Sequence, residues 1–171
     1  MYLGNEIDRV VETSSIELCA AYNVAVSLRS CRISSYTEFT MRGGVIGITG
    51  KDLRGSLGLR LTDSILEETD ALGHDKNDWI AELTNQFVGR IRNKLLLVGV
   101  EIDVGIPITI AGSQFEMSFS NREARIYEFV NTDGIPSVNV YLDGKYDPKM
   151  VLNAKDHEAK RPVSEGDLVI F

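Results

Sequence analysis

The sequence is short of the residues that most often announce a chemistry. Among 171 residues there are two cysteines, Cys19 and Cys31, and two histidines, His74 and His157. The cysteines form no Cys-x-x-Cys pair, so their spacing encodes neither a redox couple nor a thiolate metal site. They read as small buried apolar residues of a cytoplasmic chain. The histidines stand in polar surroundings without a second ligand at metal spacing, and read as surface or capping residues. There is no Gly-x-Ser-x-Gly nucleophile elbow. No apolar run approaches the ~20 residues that span a bilayer. The segment Met1 to Asp8 lacks the basic and apolar regions of a signal peptide. Positive charge is also scarce: 18 Lys and Arg against 25 Asp and Glu give a net charge of −7. That is the wrong sign for a backbone binder of nucleic acid. Neither a membrane nor a nucleic acid is expected as a partner.

What is present is an ordinary globular composition, 43% hydrophobic and 25% charged, with a length that fits one domain over 1–171 and suffices for a real core. Ile7, Val10, Val11, Ser14, Leu18 and Ala21 recur at helical spacing and predict an amphipathic helix from about Asn5 to Tyr22. Ala25 to Met41 reads as strand. Gly43 to Gly50 and Gly55 to Leu61 read as a hairpin about the turn Lys51-Asp52-Leu53-Arg54. A phosphate loop is excluded at Gly44 to Lys51. Val45 stands where the motif needs glycine, Asp52 stands where it needs Ser or Thr, and a strand follows instead of a helix. A short helix is expected over Ile65 to Ala71, opened by a Ser64/Glu67 capping box and closed by Gly73. A long helix is expected over Asn77 to Val98, capped by Asp75 or Asn77. Strands follow at Glu101 to Ile110, Phe115 to Phe119, Ala124 to Val130, Val138 to Leu142 and Leu168 to Phe171, with turn signals at Asn131 to Gly134 and at Asp143-Gly144. Helices in front and strands behind predict an α+β fold, helices packed against a mainly antiparallel sheet.

The informative segment is the long helix. With Asp78 at zero and 100° per residue, Glu82 falls at about 40°, Asn85 at about −20°, Gly89 at about 20° and Arg92 at about −40°. Ile80, Leu83, Phe87, Ile91 and Leu95 lie between about 140° and 260°, on the opposite side. The helix therefore buries one face and turns a carboxylate and an amide outward together. Asn85 carries a neutral amide that does not titrate; it orients water by donating and accepting. The Glu82 carboxylate suits a partner's cation. Gly89 costs about 1 kcal/mol of helix propensity relative to alanine, which asks for a reason such as close approach of another backbone. A solvated helix face also carries polar residues at such spacings. Yet Asp, Glu, Asn and Gly at four fixed positions, each at ~5% usage, occur by chance in roughly one chain of this length in a thousand. The basic residues Arg90, Arg92 and Lys94 near the end of the helix complement its dipole.

Asp78-x-x-x-Glu82-x-x-Asn85-x-x-x-Gly89 resembles the signature of the CheC/CheX chemotaxis phosphatases. The flanks agree. Val45 to Gly50 and Gly55 to Gly58 resemble the strand pair before the signature helix. Glu101 to Asp103 and Ile106 to Gly112 resemble the strand after it. The resemblance covers about 43–117; residues 137–171 lie outside it, as a C-terminal extension of unassigned role. It implies a CheC/CheX-like fold and hydrolysis of the aspartyl phosphate on a phosphorylated CheY-like response regulator. Asn85 then orients the attacking water and Glu82 pairs with the receiver's lysine. Asp78 and Gly89 shape the contact, and Arg92 faces the receiver's acidic surface. No cofactor belongs to this chain; Mg²⁺ is expected on the receiver. A homodimer is also implied. CheC-like members repeat the signature on the first helix, whereas here Glu17 and Asn23 are six residues apart, which favours the single-site CheX type. The alternative is a non-catalytic receiver-docking or dimerisation module with the same fold.

Overall fold

The computed structural model describes residues 1–70, 73–118 and 124–152, with 36–41 and 113–118 as backbone. Among the described residues three helices pack on a seven-stranded antiparallel sheet. The helices are α1 (Leu3–Ala20), α2 (Asp63–Thr69) and α3 (Lys76–Leu97). The strands are β1 (Val26–Ser34), β2 (Tyr36–Thr49), β3 (Arg54–Leu61), β4 (Asp103–Val104), β5 (Ile108–Ser118), β6 (Ala124–Asn131) and β7 (Pro136–Lys145). The order across the sheet is β1-β6-β7-β3-β2-β4, with β5 also paired to β2. The α+β expectation holds.

The stretch expected as one strand from Ala25 to Met41 divides at Ser35. Before the break the chain pairs with β6, and after it with β5. Glu101 to Ile110 also divides, because Val104 pairs with Ile48 while Ile108 pairs with Val45. Asp143-Gly144 is not a turn. Both residues continue β7, opposite Ser56 and Gly55 of β3. The cap of α2 is Thr62, whose side chain accepts from the Ile65 amide at 3.4 Å, and not Ser64, which lies inside the helix and donates to Glu68. That helix ends at Thr69, before Gly73. The strand expected at Leu168 to Phe171 and the charged residues 153–163 lie outside the described residues.

The sequence pattern decides what is buried. Ile7, Val10, Val11, Leu18 and Cys19 of α1 meet Ile80, Leu83, Phe87, Ile91 and Leu95 of α3 in one core with Leu57, Leu59, Tyr127, Phe129, Val138 and Val140 of the sheet. Cys19 behaves as expected, and its burial pushes the thiol up to about 12. Cys31 does not: it is exposed, because β1 is an edge strand lying in solvent along most of its length. The start of α1 has no side-chain cap. Its free amides are met by the chain's later residues instead, Leu3 donating to the Met150 carbonyl at 2.8 Å and Gly4 to the Pro148 carbonyl at 3.2 Å.

One contact sets the helix layer on the sheet. A Cβ at Gly44 of β2 would lie 2.0 Å from Thr84 Oγ1 of α3. Thr84 is fully buried and donates to the Ile80 carbonyl at 2.7 Å, so it has nowhere to swing. The same end of α3 is tied to the sheet by Arg42, which donates to Asn77 Oδ1 at 2.8 Å, and by Thr109, which donates to the Asn77 carbonyl at 3.0 Å.

Gly44→Ala is expected to destabilise the fold by about 1–3 kcal/mol through overpacking against α3; chemical denaturation measures it. A second expectation concerns alkali. The Tyr127 hydroxyl is fully enclosed and donates to Asp8 Oδ1 at 2.5 Å, and Asp8 also pairs with Arg125. Burial first, and then the Asp8 carboxylate, hold that phenol above its ordinary range. A raised folded value means stabilisation that is complete below the unfolded value of about 10 and lost as pH rises above it. Tyr127→Phe should cost about 1–2 kcal/mol at neutral pH yet give a shallower fall in stability above about pH 10.

Candidate functional site

The site is built on the outward face of α3. Asp75 caps the helix, accepting from the Asn77 amide at 2.8 Å and the Asp78 amide at 3.4 Å. Asp78 in the first turn adds a negative charge where the helix dipole favours one. The five apolar residues read from the sequence as the inner face are all buried. The opposite stripe is consequently presented as predicted: Asp78 and Glu82 are exposed, while Asn85, Gly89 and Arg92 are half-buried. Glu82 and Asn85 stand one turn apart. The Asn85 amide makes no hydrogen bond to the described residues, so its donors and acceptor are open to water. Lys94, by contrast, points away to α1, donating to Thr13 Oγ1 at 3.1 Å and Glu17 Oε1 at 2.6 Å.

Gly89 leaves a gap. A Cβ there would meet nothing within 4 Å. The close approach that would justify the glycine is therefore not made by the described residues. Asn23, the other asparagine considered, lies past the end of α1 at φ 62°, and Glu17 is engaged by Lys94. No second Glu/Asn pair shares a helix face there.

The sequence reading missed Gln86. Its Nε2 donates to Glu82 Oε1 at 2.9 Å, while its Oε1 accepts from the Tyr22 hydroxyl at 2.8 Å. The i, i+4 spacing of Glu82 and Gln86 was the available signal; Tyr22, 64 residues away, gave none. His74, expected as a surface residue, pairs with Asp70 at 2.6 Å and stacks on Trp79 with centroids 5.0 Å apart.

The surface here is a helix flank, not a pocket. A cavity of about 500 Å³ lies elsewhere, lined by Thr49, Asp52, Val98, Glu101 and Met150 at the C-terminal end of α3. At 1.5 Å per residue, Val98 is about 20 Å along the axis from Asn85. A flat stripe with free polar groups suits a macromolecule better than an enclosed small ligand. Among the described residues there is no group of three or more His, Cys, Asp or Glu that could hold a metal, and no helix long and apolar enough to cross a membrane.

An α+β chain with helices packed on a mainly antiparallel sheet has the fold of the CheC-like chemotaxis proteins. The chain belongs to the family of the chemotaxis phosphatase CheX, whose sequence profile matches residues 40–130, just over half of its length. Among curated proteins none matches it. Solved structures do. The chemotaxis protein CheX from Desulfovibrio desulfuricans superposes with a TM-score of 0.69 at 18% identity, covering 83% of this chain and 99% of that one. A CheC-like superfamily protein from Shewanella sp. PV-4 gives 0.69 at 19% identity, with 85% and 99% covered. A chain of the CheX–CheY–BeF₃–Mg²⁺ complex from Borrelia burgdorferi gives 0.60 at 17% identity, with 85% and 98% covered. At these identities the likeness is one of fold.

The empty space at Gly89 generates a prediction. Gly89→Ala should stabilise the chain by about 0.5–1 kcal/mol, since it gains helix propensity and meets no obstacle. A loss of stability in thermal or denaturant unfolding would place the reason for this glycine inside the fold.

Proposed function

We propose that this chain, folded as one domain, hydrolyses the aspartyl phosphate of a CheY-like receiver docked on α3. The observation that carries the reading is the free Asn85 amide beside the exposed Glu82 carboxylate, on a helix whose register is fixed from below. The family supports it, as does the occurrence of a CheX–CheY complex among proteins of this fold. The Asn85 amide, whose Oδ1 accepts hydrogen bonds and whose Nδ2 donates them, hydrogen-bonds the water and holds its oxygen in line with the phosphorus. The water's oxygen–phosphorus bond forms as the bond to the aspartyl oxygen breaks. The products are the receiver's free carboxylate and inorganic phosphate, and both of the water's hydrogens leave with the phosphate as H₂PO₄⁻. Glu82 pairs with the receiver's lysine, and Mg²⁺ on the receiver offsets the phosphoryl charge. Such a reaction asks for positioning and electrostatics more than for covalent help.

In this reading Gly89 keeps a turn of α3 bare so that the receiver's backbone can approach, Asp78 contributes to the contact and Arg92 meets acidic residues of the receiver. The setting is cytoplasmic. A homodimer, presenting two such stripes, is part of the proposal.

The test is phosphate loss from a Mg²⁺-loaded, phosphorylated receiver of the same organism. Asn85→Ala should lose about a hundredfold or more in turnover, with affinity for the receiver kept within about twofold. Glu82→Ala should weaken both. Neither should move stability by more than about 0.5 kcal/mol, because both groups face solvent. Binding without acceleration by the wild-type chain would replace the enzyme by a docking module.

A further inference from the structure

We propose that Tyr22 and Gln86 form a relay that holds Glu82 in its working rotamer, making both of them positioning residues of the site. The inference rests on the phosphatase reading only for its purpose; the relay itself is a matter of geometry. Glu82 is exposed, and an exposed glutamate ordinarily samples many rotamers. Here one of its oxygens, Oε1, accepts from Gln86 Nε2 at 2.9 Å. Its other oxygen, Oε2, receives no hydrogen bond from the described residues and is left for a partner's cation.

Gln86 is half-buried, and its amide cannot turn over freely. A phenol beside an amide oxygen is a donor, and Tyr22 donates to Gln86 Oε1 at 2.8 Å. That bond points the amide nitrogen at Glu82. The reversed amide would set an oxygen against the carboxylate, which has no proton to give.

Tyr22 is itself held. Its ring meets Trp79 edge-on, centroids 5.5 Å apart at 86°. Trp79 Nε1 donates at 2.9 Å to Thr69 Oγ1, a buried group. The chain of contacts runs from the end of α1 through α3 to the last residue of α2. Asn85 has no comparable restraint. The two polar groups of the site are thus treated differently: the amide is free to follow a water, and the carboxylate is pre-set for a charge. Pre-setting removes an ordering cost that the docked complex would otherwise meet.

The variants are Gln86→Ala and Tyr22→Phe, the second keeping the packing on Trp79. Two measurements are needed. On the chain alone, NMR side-chain couplings read the Glu82 rotamer: one dominant rotamer in the wild type, averaging in both variants. An averaged Glu82 in the wild type overturns the relay. With the receiver, kcat/KM on its Mg²⁺-loaded phosphorylated form and Kd for its BeF₃–Mg²⁺ form are measured in wild-type and Glu82→Ala backgrounds. Each variant should lose about five- to tenfold in the wild-type background and less than twofold in the Glu82→Ala background, as for residues acting through one group. Equal losses in both backgrounds, or none in the first, overturn the proposal, because a merely structural role does not depend on Glu82. Wild-type chain that binds but does not turn over, with the same non-additivity in Kd, refutes the catalytic reading and leaves the relay standing.

Discussion

The contact between Gly44 and Thr84 is what the rest of the arrangement depends on. Backbone on the sheet and a buried threonine on the helix approach more closely than any residue with a Cβ would allow. Because Thr84 is spent on that contact, its neighbour Asn85 is rotated 100° away toward solvent. Glu82 precedes it by one turn on the same side. A rotation of α3 by one residue would bury the amide and expose Leu83 or Phe87, exchanging an open polar group for a large apolar one. The register of the outer face is therefore set by the inner one, and Asn77, held by Arg42 and Thr109, keeps the helix from sliding along the strands.

The periodicity of α3 was legible because packing follows it: the five residues on one side are buried and the stripe opposite is not. The same holds for α1. The hairpin about Lys51 to Arg54 was legible too, and β2 and β3 pair as one. The strand division at Ser35 could not be read, since it comes from a change of partner across the sheet; the one after Val104 involves no change of partner, both pieces pairing with β2, and falls at Gly105 and Pro107, which interrupt the run. Asp143-Gly144 misled for a similar reason. A dipeptide that often turns is carried straight through when a neighbouring strand, here β3, pairs with it. Cys31 was misjudged because burial of a strand residue depends on where the strand sits in the sheet, and β1 sits at its edge.

The site shows the same division. Its residues lie on one helix, so a wheel finds them. Tyr22, which donates to Gln86 beside Glu82, lies just past the end of α1, and the two meet because α1 and α3 pack antiparallel, with Glu17 beside Lys94 and Tyr22 beside Trp79 and Gln86. Spacing arguments recover groups within an element and are silent about those that tertiary packing brings to them.

A helix face also explains how little chemical equipment the chain carries. Enclosed sites dehydrate their contents and need metals, nucleophiles or shifted acids to act on them. An acyl phosphate held by its own protein with Mg²⁺ already has a good leaving group and compensated charge, so what is left to supply is the place of one water and a counter-charge. In the proposed reading a neutral amide supplies the first without a proton to gain or lose, and a carboxylate supplies the second. Both tasks demand geometry, and geometry is what a long helix pinned by a glycine contact and laced to its neighbours provides. On that proposal the absence of conspicuous catalytic residues in the sequence and the anchoring of α3 by Gly44, Arg42 and Thr109 belong together: the more chemistry the partner brings, the more the value of this surface lies in its placement.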